Sequence, residues 1–291
     1  MRAYLPGFEM VAPKNLDEAL KLLSREQGQL RPFAGGTDLM VVFESGKLAP
    51  GKFMSIWNLD ELKGIRETPE HLTLGALTTY SQIKANGVAR AEFPMLCQAA
   101  SETGAIAIQN RGTIGGNIAN ASPAADSPPA LLVYEADVEL VSSDGTRWVP
   151  YANFHTGYKK IVMRPDELIR SVRVPRATKE MKHYYRKVGT RKAQAISKVV
   201  FAGLLRQSGA VIEEARIALG SVAPTTIRCP LTENCLRGQR LESGLLSRAQ
   251  KVLGREITPI DDIRSTSEFR NRVAGHLLEE FLTSCGTGLP S

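Results

Sequence analysis

Two segments built around paired glycines concentrate the residues of this chain that could hold a ligand through the backbone. The first is Phe33-Ala34-Gly35-Gly36-Thr37-Asp38-Leu39. Adjacent glycines let a chain turn tightly and approach a ligand closely. A helix starting just beyond them offers unpaired N–H groups and the positive end of its dipole, a seat for phosphate. Thr37 adds a hydroxyl donor, whereas the charge of Asp38 would repel a phosphate and suits a helix cap better. A tight turn before a helix explains this segment at least as well. The second segment is Asn110-Arg111-Gly112-Thr113-Ile114-Gly115-Gly116-Asn117-Ile118-Ala119-Asn120, running on to Asp126-Ser127-Pro128-Pro129. Thr113, Asn117 and Asn120 bring neutral hydrogen-bonding groups, costly in an apolar core without partners. A ligand-facing stretch and a solvated surface loop both remain open here. Together the two segments could grip the two phosphates of one dinucleotide from opposite sides, with Asp126 accepting from a ribose hydroxyl.

Other chemistries find no support. There is no GxGxxG, and Gly46-Lys47 lacks the upstream glycine of a P-loop. His71, His155, His183 and His276 are dispersed without ligand spacing, so each reads as structural or surface. Cys97, Cys229, Cys235 and Cys285 form no CxxC pair and fit neither a zinc ribbon nor an iron–sulfur run. They read as reduced structural thiols in a cytoplasmic protein. No metal site and no catalytic side chain is expected, so any reactivity belongs to a bound cofactor.

The elements that must position these segments follow from periodicity. Asn15 can cap a helix whose apolar face is Leu16, Ala19, Leu20 and Leu23. Strands are expected at Leu30 to Ala34 and Phe53 to Leu59, with a helix from Asp38 to Glu44 between them, giving an α-β-α-β order. A strand at His71 to Gly75 and helices at Thr79 to Ala85 and Pro94 to Ala100 come next. The stretch 110–130 shows no helical or strand period until its end and reads as a long functional loop. Strands at Val138 to Ser142 and Leu168 to Val174 close this part. Beyond it, strands at Lys198 to Arg206 and Ala210 to Leu219 precede helices at Leu245 to Leu253 and Glu268 to Leu282. The 291 residues suit about two domains, with a boundary near 176–180. Net charge is +7, and residues 159–192 alone carry twelve Lys/Arg against Asp166, Glu167 and Glu180. With no basic-aromatic motif and no long recognition helix, this stretch reads as a solvated or partner-facing surface, not a nucleic-acid site. No apolar run is long enough to span a membrane.

At the two glycine segments the sequence closely resembles the FAD-binding (medium) subunit of the xanthine dehydrogenase and carbon monoxide dehydrogenase family, the molybdenum hydroxylases. The resemblance rests on Ala34-Gly35-Gly36-Thr37-Asp38-Leu39 and on Asn110 through Asp126, and extends over nearly the whole chain. It implies an α+β protein: a two-subdomain FAD-binding fold of the vanillyl-alcohol oxidase/PCMH type over 1–177 (subdomains about 1–58 and 59–177), then a C-terminal α+β domain over 178–291. It implies non-covalent FAD with its pyrophosphate on both glycine pairs. Phe33, Ala34, Gly35, Gly36, Thr37, Asp38 and Leu39 would line the site together with Thr113, Ile114, Gly115, Gly116 and Asn117. Asp126 would meet the sugar or adenosine half. Thr103 stands where members can place an aromatic beside the flavin, and Ile169 and Lys187 match further flavin-contacting positions. The implied role is electron transfer, from 2Fe–2S clusters of a small partner subunit to NAD, oxygen or a quinone, while a large subunit holds the molybdenum cofactor. A dimer of heterotrimers is the implied assembly. The rival reading is a self-contained FAD-dependent oxidase or reductase of the same fold.

Overall fold

The computed structural model describes residues 7–191 and 194–287. Its fold is α+β, organised around three sheets and a small hairpin. The N-terminal unit is a parallel sheet in which Gly51–Ser55 lies between Phe8–Val11 and Leu30–Phe33. Helix Leu16–Glu26 buries Ala19, Leu20 and Leu23 against it, and the Asn15 side chain accepts from the Glu18 N–H as a cap. The order is therefore β-α-β-α-β. Strand Phe8–Val11 escapes the expected order because it is a four-residue edge strand, mostly exposed and without alternation.

The second sheet is antiparallel, in the order Ile65–Glu67, His71–Gly75, Leu168–Pro175, Asp137–Ser142, Gly145–Pro150. Helices Tyr80–Ala85, Gly87–Glu92, Pro94–Glu102 and Pro128–Val133 cover one face, burying Phe93, Leu96, Leu131 and Tyr134. The expected long loop over 110–130 is interrupted by helix Ile114–Asn120 and ends in helix Pro128–Val133. The Thr113 hydroxyl caps the first by accepting from the Gly116 N–H at 3.1 Å. Burial of Ile114 and Ile118 then outweighs the poor helix propensity of its glycines and asparagines.

The third sheet runs Lys182–Val188, Val199–Ser208, Val211–Gly220, Ile227–Arg228, all antiparallel. Strand Val199–Ser208 is buried on both faces over its first seven residues. Val200, Ala202 and Leu204 join the core of the second sheet, while Val199, Phe201 and Leu205 pack on helices Ser243–Glu256 and Ser267–Cys285. The core is thus continuous across the region between the second and third sheets.

The basic stretch is not a free positive surface. Arg164 pairs with Asp166 and Glu167, Arg170 with Glu139, Arg173 with Asp137, Arg176 with Glu92, and Lys187 with Asp126. Arg173 also lies over the Trp148 ring at 4.0 Å. Four of these cations are thus neutralised by carboxylates from distant elements. Lys192, the last of these cations, lies outside the described residues. Among the described residues no helix is long and apolar enough to cross a membrane.

Phe201 is fully buried, with ring centroids 5.6 Å from Tyr184 and 5.5 Å from Phe281. Phe201→Ala should cost about 3–5 kcal/mol, the usual loss on emptying a buried aromatic site. Urea unfolding of the full chain measures it, and a loss below 1 kcal/mol (~one methylene's worth) would contradict this packing.

Candidate functional site

The two glycine segments meet in space. Strand Leu30–Phe33 ends at the first, and the Arg111 carbonyl of the second presses against it. A Cβ on Gly35 would stand 1.8 Å from that oxygen. Gly35 is therefore glycine because the chain itself approaches there. The second segment is sewn to the turn after strand His71–Gly75. The Ile114 N–H donates to Thr78 O at 3.0 Å and the Gly115 N–H to Ala76 O at 2.9 Å. A Cβ on Gly115 would lie 2.7 Å from the Ala76 Cβ. Asp38 makes no capping bond to its own helix. Its carboxylate accepts from Asn120 Nδ2 at 3.1 Å instead, tying the two segments together.

Between them lies a cavity of about 510 Å³, lined by Ala34 through Leu39, by Thr113 and Gly115 through Asn117, and by Thr103 and Ile169. A second of about 900 Å³ shares Asp38, Thr103, Ile108, Asn117 and Asn120 with it, and reaches Asp126, Ser197 and Ser221. Such volumes suit small-molecule sites, commonly ~300–1,000 Å³. Among the described residues the N–H groups of Gly35, Gly36, Thr37 and Asp38 have no hydrogen-bond acceptor. Asn117 Oδ1 is buried without a partner. Successive free backbone N–H groups form a concavity that attracts anions. Donors of this kind, with an orphaned amide oxygen beside them, fit a dinucleotide.

At the junction of the cavities Asp126 is the central charge. Its Oδ2 accepts from Lys187 Nζ at 2.8 Å and lies 3.4 Å from Thr103 Oγ1, while Oδ1 has no partner. Lys187 also donates to Glu102 O at 2.9 Å, and the Tyr185 hydroxyl donates to Asp126 O at 3.0 Å. Burial pushes the Asp126 carboxyl up to about 6, against the pull of the Lys187 ammonium. Tyr80, fully buried on the smaller cavity's wall, has its phenol raised by burial and by the neighbouring Asp126 charge.

Most residues singled out in the sequence gather on these walls, but some differ. Phe33 lies beneath Gly36, its ring 2.6 Å from where a Cβ there would stand, and does not line either cavity. Ile114 is buried in the core with its N–H engaged. Lys187 sits behind Asp126, with its side chain only 8% exposed. Thr103, Asp126 and Lys187 form one cluster, with Asp126 Oδ2 in contact with both of the others. Thr113 spends its hydroxyl on its cap. Sequence reasoning missed Tyr80, which follows a Thr79 cap and carries no motif. His155 Nε2 donates to Ile118 O, and His183 bridges the Tyr134 hydroxyl and Thr178 O, both structural contacts. The described residues hold no group of three or more His, Cys, Asp or Glu able to bind a metal.

Residues 6–177 match the family described as the FAD binding domain in molybdopterin dehydrogenase. The chain belongs to this family. Residues 183–285 match the CO dehydrogenase flavoprotein C-terminal domain. The chain is 32% identical to the xanthine dehydrogenase FAD-binding subunit of Escherichia coli O157:H7, over 88% of each chain. It is 29% identical to the carbon monoxide dehydrogenase medium chain of Hydrogenophaga pseudoflava, over 96% of this chain and 97% of that one. A solved structure of the carbon monoxide dehydrogenase from that organism superposes with a TM-score of 0.92 at 28% identity, covering 97% of this chain and 98% of its own. The chain is thus an FAD-binding subunit of the molybdenum hydroxylase family, and the enzyme it serves is an oxidoreductase.

Two outcomes test the site. Gly35→Ala must push the segments apart at the Arg111 carbonyl, so FAD should bind about tenfold more weakly or worse, read by flavin fluorescence titration. Unchanged affinity would mean the loop contact does not shape the site. Lys187→Met strips the counter-ion from a buried carboxylate. Because the Asp126 carboxyl is largely protonated below about 6, the variant should lose about 3 kcal/mol near pH 8 and much less near pH 5. Denaturant midpoints at the two pH values measure this, and equal losses would contradict a buried ion pair.

Proposed function

We propose that this chain is the electron-transfer subunit of a molybdenum hydroxylase, carrying FAD between its two glycine segments. It takes electrons from 2Fe–2S clusters of a small partner subunit and passes them to an external acceptor, NAD, oxygen or a quinone. A large partner subunit holds the molybdenum cofactor, and two such heterotrimers pair. When bound, the flavin supplies the ability to exchange single electrons for pairs. Everything else is asked of the chain's own groups. The free N–H groups of Gly35 through Asp38 bind the diphosphate. Thr103, Ile169 and Asn117 shape the walls. The Asp126–Lys187 pair fixes a protonatable carboxyl at the junction of the two cavities.

The observation that carries this reading is a cofactor-sized cleft lined by the free N–H groups of Gly35 to Asp38. Beside it, the Asp126 carboxylate is paired with Lys187 and that of Asp38 with Asn120. Relatives named as medium chains and FAD-binding subunits support an assembly with separate chains for the other redox groups. We divide the chain at residue 177 into an FAD-binding domain (1–177) and a C-terminal domain (178–291), a reading supported by family matches over 6–177 and 183–285. The four cysteines are free, as suits a cytoplasmic location.

The decisive experiment mixes the flavin-loaded chain with candidate aldehyde, purine or N-heterocycle substrates, alone and in its purified complex. Flavin bleaching is expected only in the complex, where molybdenum and iron–sulfur partners are present. Bleaching of the isolated chain by substrate would establish instead a self-contained oxidase or reductase.

A further inference from the structure

The smaller cavity carries the wrong charge for a diphosphate. Among the described residues that line it, the only ionic side chain is Asp38. The Arg111 guanidinium, in the adjoining segment, is stacked over the Trp57 ring at 3.9 Å. The free N–H groups of the first segment contribute partial charges, which stop short of neutralising a diphosphate.

A full positive charge arrives from another element. The strands His155–Gly157 and Lys160–Ile161 form a short hairpin with Lys159 at its tip. Lys159 has φ of 56°, a left-handed conformation uncommon for a side chain of its size. From there its ammonium donates to Asn120 O at 2.7 Å and to Asn120 Oδ1 at 2.8 Å. Asn120 Nδ2 donates onward to Asp38 Oδ1. Asn120 and Asp38 line both cavities and Lys159 lines the larger, so this three-residue chain crosses the rim where they join. Both acceptors of the ammonium are neutral oxygens on one asparagine. Among the described residues no carboxylate pairs with it, whereas Arg164, Arg170, Arg173, Arg176 and Lys187 of the same stretch each have one. An uncompensated cation, parked on an amide beside a cleft meant for an anion, keeps a donor and its full charge available.

We propose that Lys159 is a cofactor-binding residue, the counter-ion for the FAD diphosphate, and that its hairpin clasps the cofactor from the rim. The inference rests on the placement of FAD under Proposed function. It assigns to the cofactor a side chain outside both glycine segments. The backbone amides orient the phosphates, and Lys159 balances their charge.

The test uses the full chain stripped of flavin and titrated with FAD at low and high salt, as wild type, Lys159→Met and Lys159→Arg. Lys159 is exposed, so neither substitution threatens the fold. Lys159→Met should bind FAD about tenfold more weakly at low salt, the size expected of one charge-assisted bond. The gap should narrow at high salt, where exposed charges are screened, and Lys159→Arg should bind nearly as well as wild type. Equal affinity of wild type and Lys159→Met overturns the inference. So does a gap that salt leaves unchanged, since that would mark a neutral packing contact. Failure of the wild type to take up FAD at all would overturn the functional reading first, and this inference with it.

Discussion

The site depends on one close approach, the Arg111 carbonyl against the bare α-carbon of Gly35. Any side chain at 35 would hold the two segments apart. Everything around that contact keeps them in register. The second segment hangs from the turn after strand His71–Gly75 through the Ile114 and Gly115 N–H groups. The first is fixed by strand Leu30–Phe33 and by the Asp38–Asn120 bond. With the backbones so close, the free N–H groups of one segment and the buried amide of Asn117 on the other face a shared space. Backbone donors suit this task because they are positioned by the fold and lose no side-chain entropy when they bind.

A second constraint acts where the cavities join. Asp126, in the loop before helix Pro128–Val133, and Lys187, on strand Lys182–Val188, bury opposite charges together, an arrangement that is costly to break once made. Neither is free to wander, so the cleft wall is defined on the side where the third sheet meets the second. The Oδ1 of Asp126 is a buried acceptor without a partner in that wall.

Part of this was legible in the residues themselves. Paired glycines followed by Thr-Asp, and a run of Gly, Asn and Thr, marked the two segments because such composition cannot build an apolar core. The helix Leu16–Glu26 showed its capped start and its buried stripe directly. What stayed hidden depends on partners far away in the chain. Gly35 reads as a ligand-approach glycine until Arg111, 76 positions later, is known to stand opposite. The helix Ile114–Asn120 looked like loop because its residues have weak intrinsic propensity, and only its Thr113 cap and buried isoleucines make it form. The basic stretch looked exposed because Glu92, Asp137, Glu139 and Asp126, which neutralise four of its cations, lie elsewhere in sequence. Lys159 carries no motif, and only the geometry of its hairpin brings it to the rim.

The unbroken apolar interior between the second and third sheets has a bearing on ancestry. Separate family descriptions meet between residues 177 and 183, as if two pieces had been joined. Yet Val200, Ala202, Leu204 and Ala218 from the later piece are packed into the interior of the earlier one. Severed there, the earlier piece would present a greasy scar to water and the later one would bare one side of its central strand. The two matched segments therefore share one apolar interior, so a change in either bears on the burial of the other.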